Sequence, residues 1–160
     1  HRVTNLMLIA SAPKFVANAQ WPHGMQQNTF TKFSQQYTKA PQKALQKFCA
    51  LQVANTKLIK QNLSVLVDAL PSQQKQPEKI QWGLQWLYEV DLRDDTTLGS
   101  FPMALWHGEN DKVLSIDASK NTVSLWNNAK LERVANAGHA PFVSHPNRFL
   151  QWIDSYTKHK

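Results

Sequence analysis

The chain of 160 residues contains a single cysteine, Cys49. An internal disulfide is therefore excluded, and sparing use of thiols fits a reducing cytoplasm. Long hydrophobic runs are also missing, since none approaches the roughly 20 residues of a membrane span. The apolar opening HRVTNLMLIAS is short and carries no cleavage-site pattern, so it does not read as a secretory leader. No RRM, KH or zinc-finger pattern and no arginine-rich stretch occurs, which argues against a nucleic-acid partner. His23, His107, His145 and Glu109 do not fall into a metal-ligand spacing such as HExxH. Neither a metal nor a cofactor is expected. The chain does not begin with methionine and runs almost at once into a strand pattern, as the middle of a fold would. A longer protein is the expectation.

Charged residues make up only 18% of the chain and apolar residues 42%, with six Trp and seven Phe, so a packed core is within reach. Acidic residues are scarce in one segment. Residues 14–90 hold nine lysines against three acids (Asp68, Glu78 and Glu89), whereas residues 91–160 are balanced. The net charge of +7 is thus concentrated on one stretch. Such a field attracts acidic partners and speeds their encounter; a merely solvated lysine face reads equally well at this point.

Val3–Ala10 is a nearly continuous apolar run, the pattern of a strand buried on both faces of a parallel sheet. Pro13 then stops regular pairing. Residues 21–90 show helical spacing instead. One helix is predicted from a cap at Asn28 or Thr29 to about Tyr37, with Phe30, Phe33 and Tyr37 on one face. A second opens on Pro41 with Ala44, Leu45, Phe48 and Leu51 as its stripe. A third, capped by Asn55 or Thr56, carries Leu58, Ile59, Leu63, Leu66 and Leu70 and ends at Pro71. A fourth covers IQWGLQWLYEV. Strand character returns at Phe101–His107 and at Lys130–Ala135, separated by a helix over Ile116–Asn127. AGHAPFVSHP reads as a loop, and Pro146 opens a last helix with Phe149, Leu150 and Ile153 inward. The order predicts an α/β fold: parallel strands with crossover helices, interrupted by a helical insertion. The expected division is 1–13 core strand and loop, 14–90 helical lid, and 91–160 the remainder of the core.

In open α/β sheets, functional loops follow the carboxyl ends of strands. Asp111 stands three residues after Gly108, and His139 four residues after Ala135, in just such loops. Alone, the aspartate reads as a turn former or helix cap and the histidine as surface decoration. Together, on consecutive strand–loop units, they suit an acid that orients an imidazole and an imidazole that acts as general base and then acid. A Cys49–His139 pairing has nothing in the sequence to activate the thiol, and a small buried Cys is the simpler reading.

GxxD after an apolar strand, followed by GHAPFxxHPxxF before a last helix, resembles the end of the α/β-hydrolase family, whose triad runs Ser, Asp, His. More narrowly, ASAPKF with a following WP, KFCALQ, VDLRDDT and AGHAPFVSHPNRF resemble the pimeloyl-acyl-carrier-protein methyl ester esterases of biotin synthesis (BioH type). The resemblance spans essentially all 160 residues. It implies the C-terminal part of an α/β-hydrolase with an inserted lid, and a serine carboxylesterase with Asp111 and His139 as catalytic residues. It further implies Phe48, Cys49, Ala50, Leu51 and Gln52, with Phe33 and His139, as substrate-binding. Lys43, Lys47 and Lys60 take positions that grip an acidic acyl carrier protein, while Ser64 stands where a fourth basic residue is expected. Phe48 and Leu51 serve equally to pack the lid on the core. The nucleophile elbow Gly-x-Ser-x-Gly and the upstream oxyanion loop are absent from the sequence. The serine is therefore expected from the N-terminal portion of the same protein, or from a second chain completing the sheet. Two other readings stand beside this one: a lidded hydrolase for another small ester or a C–C bond, and an inactive fragment or carrier-binding module.

Overall fold

In the computed structural model, residues 3–70 and 77–157 are described. Three parallel strands, β1 (Leu6–Ile9), β2 (Met103–Gly108) and β3 (Ala129–Val134), form one sheet in the order β1-β2-β3. Both pairings are in continuous register, from Leu6↔Met103 to Ile9↔Trp106 and from Met103↔Ala129 to Gly108↔Val134. The first strand is shorter than the apolar run Val3–Ala10: Ala10 still donates its N–H to Trp106 O at 3.0 Å, but its left-handed backbone (φ 46°) turns the chain out of the strand. β2 is central, and all six of its residues are buried. That is why its sequence lacks the polar alternation of a half-exposed strand.

The pleat sends alternate β2 side chains to opposite layers. Ala104 and Trp106 pack with Val134 and with Trp152 and Phe149 of the last helix, α8 (Pro146–Thr157). Met103 and Leu105 pack with Trp126, Val123 and Leu98. Those side chains come from the short α5 (Thr96–Gly99), from α6 (Ile116–Leu125) and from the residue that follows it. Complete burial of a side chain such as Leu105 contributes about 2 kcal/mol. On α8 the inward anchor is Trp152, whereas Leu150, expected inward, is 60% exposed. The segment after β3 is not all loop, since Pro141–Ser144 form a helical turn, α7.

Between β1 and β2 lie α1 (Gln27–Lys39), α2 (Pro41–Gln52), α3 (Ile59–Asp68) and α4 (Pro77–Glu89). Pro41 opens α2 as its sequence predicts, because the missing N–H is no loss in a first turn. The expected caps are not used. α1 follows Gln26 without a side-chain cap, and α3 starts after Leu58, a left-handed residue, rather than at Asn55 or Thr56. Thr56 instead turns its hydroxyl back to the Val53 carbonyl and accepts from Asn62, the one buried residue of α3. The predicted leucine stripe of α3 is accordingly not a core face. Leu58 is 70% exposed and Ile59 is exposed as well. Pro71 and the polar residues after it to 76 lie outside the described residues. The insertion's own core joins Phe30, Tyr37 and Ala44 to Leu84, with Phe33, Phe48 and Leu51 packed against it.

A polar clasp closes the neck of this insertion. The Leu92 N–H donates to Pro13 O at 2.9 Å, and Lys14 lies 3.6 Å from Asp91. Arg93 grips both oxygens of Asp91 (2.8 and 2.7 Å), donates to Gln20 O, and stands over the Trp21 ring. The VDLR stretch thus fixes where the helical segment leaves the sheet.

Candidate active site

The loop after β2 folds back so that the Asp111 side chain is fully buried. Its Oδ1 accepts the N–H groups of Val113 (2.7 Å) and Leu114 (2.9 Å), the turn-forming role expected of such an aspartate. Its Oδ2 accepts from His139 Nδ1 at 2.8 Å. A carboxylate only accepts, so His139 carries its proton on Nδ1 and leaves Nε2 free to take one. The His139 side chain keeps 16% exposure, open enough to meet a substrate.

Two glycines let the loops close. A Cβ on Gly108 would lie 2.1 Å from Gly138 O and 2.4 Å from Ala137 O. The absence of a side chain at the end of β2 therefore allows the aspartate and histidine loops to touch, with Asn110 N–H donating to Ala137 O at 2.9 Å. A Cβ on Gly138 would come within 2.4 Å of Gln52 O, where α2 reaches the histidine loop.

Burial alone would push the Asp111 carboxyl up. Hydrogen bonds from His107 and His139, with the field of both rings, outweigh it and hold the carboxyl at about 2. Its folded value is thus depressed. The stabilisation it supplies is fully present above the ordinary carboxylate range and is lost as pH falls from about 4 through 2. Urea midpoints measured across that window should fall more steeply for the native sequence than for Asp111→Asn. Parallel curves would show that the carboxylate contributes no such linkage.

The remaining expected residues divide by position. Phe48 is partly buried, its ring centroid 6.4 Å from that of His139, with Phe33 5.4 Å beyond it. These two aromatics lead from the insertion to the imidazole. Leu51 packs against the insertion's core. Cys49 is buried and free, and burial pushes its thiol up, away from the thiolate a nucleophile needs. Ala50 is exposed. Gln52 reaches the site through its backbone, its carbonyl accepting the Ala140 N–H at 3.3 Å. Lys43 and Lys47 are exposed and line a shallow cavity of about 210 Å³ together with Lys39. Lys60 stands apart on α3, and nearby Ser64 donates to Asp68.

Two residues of the site escaped the sequence reading. His107 is wholly buried and reaches Asp111 Oδ2 at 3.0 Å. Asn110 donates from its amide to Asn55 O at 3.0 Å, tying the aspartate loop to the turn after α2. The only sequence signal was the four-residue spacing of His107 and Asp111, which means contact on a helix but carries no meaning across a strand end. Among the described residues, no group of three or more His, Cys, Asp or Glu is arranged to hold a metal ion. No helix among them is long and apolar enough to cross a membrane.

No protein-family model matches the chain. Among curated proteins it is similar to pimeloyl-acyl-carrier-protein methyl ester esterases. The match to that of Nitrosomonas europaea is 34% identical over 155 residues, covering 96% of this chain and 62% of the relative. The match to that of Photobacterium profundum is 32% identical over 158 residues, covering 98% and 62%. The chain therefore spans rather less than two thirds of the relatives it matches. Among solved structures it is similar to an esterase from Exiguobacterium antarcticum (TM-score 0.81, 19% identity, 98% of this chain and 57% of the other). A bromoperoxidase from Bacillus anthracis superposes equally well (TM-score 0.82, 15% identity, 98% and 59%). These likenesses establish the fold.

Proposed function

The chain has the fold of the C-terminal part of an α/β-hydrolase, its sequence relatives are pimeloyl-acyl-carrier-protein methyl ester esterases, and from this premise we propose that it supplies the acid and base of a serine carboxylesterase. The observation that carries the reading is the 2.8 Å bond between His139 Nδ1 and the buried Asp111 Oδ2 at the carboxyl ends of adjacent parallel strands. The nucleophilic serine and the oxyanion donors lie on a segment outside these 160 residues, which pairs with the edge of β1 away from β2. Residues 14–90 are the lid, and the substrate is a pimeloyl methyl ester on acyl carrier protein. We place the reaction in the cytoplasm, the compartment that sparing use of cysteine fits.

The chemistry follows from the pair. The serine Oγ attacks the ester carbonyl while His139 Nε2 takes its proton, then gives it to the departing methoxide, which leaves as methanol. Water, deprotonated by the same Nε2, attacks the acyl-serine, and the serine recovers its proton as the free acid departs. Asp111 stays ionised throughout, fixing the tautomer and offsetting the charge of the imidazolium. Phe33 and Phe48 shape the approach for the acyl chain, with Leu51 and the neighbouring residues of α2 forming its floor.

Lys43, Lys47 and Lys60 receive the acidic carrier. Replacing both Lys43 and Lys47 with Glu in the full-length protein is expected to lower kcat/KM on the carrier-bound methyl ester by roughly tenfold or more, and to leave a small free methyl ester almost unchanged. Salt should narrow the difference, because exposed charges are screened. Equal effects on the two substrates would remove the carrier from the proposal while leaving the esterase in place.

A further inference from the structure

Beyond the Asp–His pair stands a third side chain whose geometry suits more than packing. We propose that His107 is a positioning residue that locks Asp111 and, through it, sets the orientation and proton affinity of His139. The inference rests on the reading of Asp111 and His139 as the catalytic pair. His107 is on the central strand, with no exposed surface. Its Nε2 lies 3.0 Å from Asp111 Oδ2 and 2.9 Å from the Leu114 carbonyl. Both are acceptors at neutral pH, so Nε2 carries the proton and Nδ1 accepts from the Ser119 hydroxyl of α6 at 2.6 Å. The tautomer is thereby fixed by the surroundings.

A carboxylate offers about four acceptor positions. At Asp111 the backbone N–H groups of Val113 and Leu114 fill two on Oδ1, His139 Nδ1 donates to Oδ2, and the His107 Nε2–H, shared with the Leu114 carbonyl, lies 3.0 Å from the same Oδ2. These contacts hold the carboxylate against rotation, and its charge faces two imidazoles. Removal of the His107 donor has two consequences. More of the charge acts on His139, which favours the imidazolium, and the carboxyl itself becomes easier to protonate. Both shift the loss of active, base-form enzyme to higher pH.

The competing role is purely structural, a buried histidine bridging β2 to α6 through Ser119. Two variants of the full-length protein separate the roles. In His107→Gln the terminal amide occupies the place of Nε2 and has two N–H groups, one for Asp111 and one for Leu114 O. In His107→Asn the shorter amide reaches only the place of Nδ1, keeping Ser119 and losing Asp111. With a p-nitrophenyl ester as probe, His107→Asn is expected to lose roughly tenfold or more in kcat with little change in KM. The acid limb of its pH–rate profile should move up by about half a pH unit. His107→Gln should restore both towards the native values. Should His107→Asn fail to fold by circular dichroism, His107→Gln is read alone: it keeps a donor to Asp111 and is expected to hold the limb in place with kcat near native, and a moved limb or a roughly tenfold loss there overturns the proposal. So does a native profile in His107→Asn, or an equal loss in both variants with the limb unmoved, provided Asp111→Asn is inactive. A fully active Asp111→Asn instead removes the pair itself, and this inference with it.

Discussion

In the full-length protein, His139→Ala is expected to lower kcat for ester hydrolysis by at least about 10⁴-fold with KM little changed, because the variant lacks the base proposed to activate the serine. Asp111→Asn should cost about as much by a different route. The amide fills the same space, but its NH2 can donate where the carboxylate only accepts. Nδ1 of His139 is then pressed into accepting, and the proton moves to Nε2, where it blocks the general base. Both effects are read in steady-state kinetics on one small ester, and the double variant should lose little more than either single one, since the two act as a unit. Native turnover in either single variant would withdraw the role assigned to that residue.

Gly108→Ala carries the second large effect, and it falls on stability as well as rate. The new Cβ would sit 2.1 Å from Gly138 O and 2.4 Å from Ala137 O, against backbone that has no rotamer to yield. Separating the loops costs about 3 kcal/mol. It also breaks the Asn110–Ala137 bond and displaces His139 from Asp111. A displacement near 1 Å between catalytic groups lowers turnover by roughly 100-fold. A lower melting temperature with a disproportionate fall in kcat is the expected signature. A lower melting temperature with native kcat at a temperature where the variant is fully folded would show that the close approach serves the sheet and not the site.

Particular residues show which parts of this were legible beforehand. The apolar runs of β1 and β2 declare a buried parallel sheet because strands covered on both faces cannot show polar alternation. Pro41 and the spacing of Ala44, Phe48 and Leu51 specify α2 because backbone chemistry and helical period agree there. The caps of α1 and α3 were misread because Asn28, Thr29, Asn55 and Thr56 have the right chemistry for a cap, and tertiary packing used other backbone conformations at those positions. The stripe of α3 failed for a related reason. Period gives a face, but only the fold decides how far it is covered: Leu58 and Ile59 are left exposed, while Leu63, Leu66 and Leu70 are half-buried.

By itself the sequence pointed to the two loops proposed to hold the chemistry, to the charge gathered on the lysine-rich insertion, and to Asp111 and His139 as the candidate pair. These are local facts, carried by residue type and by position after a strand. Only the tertiary structure decided that the pair meets at 2.8 Å, that Gly108 and Gly138 are the clearances that let it meet, and that His107 shares the same carboxylate oxygen. The physical reason is that each depends on where two or more separate stretches of backbone come to rest, and no period or motif within any one stretch encodes that distance.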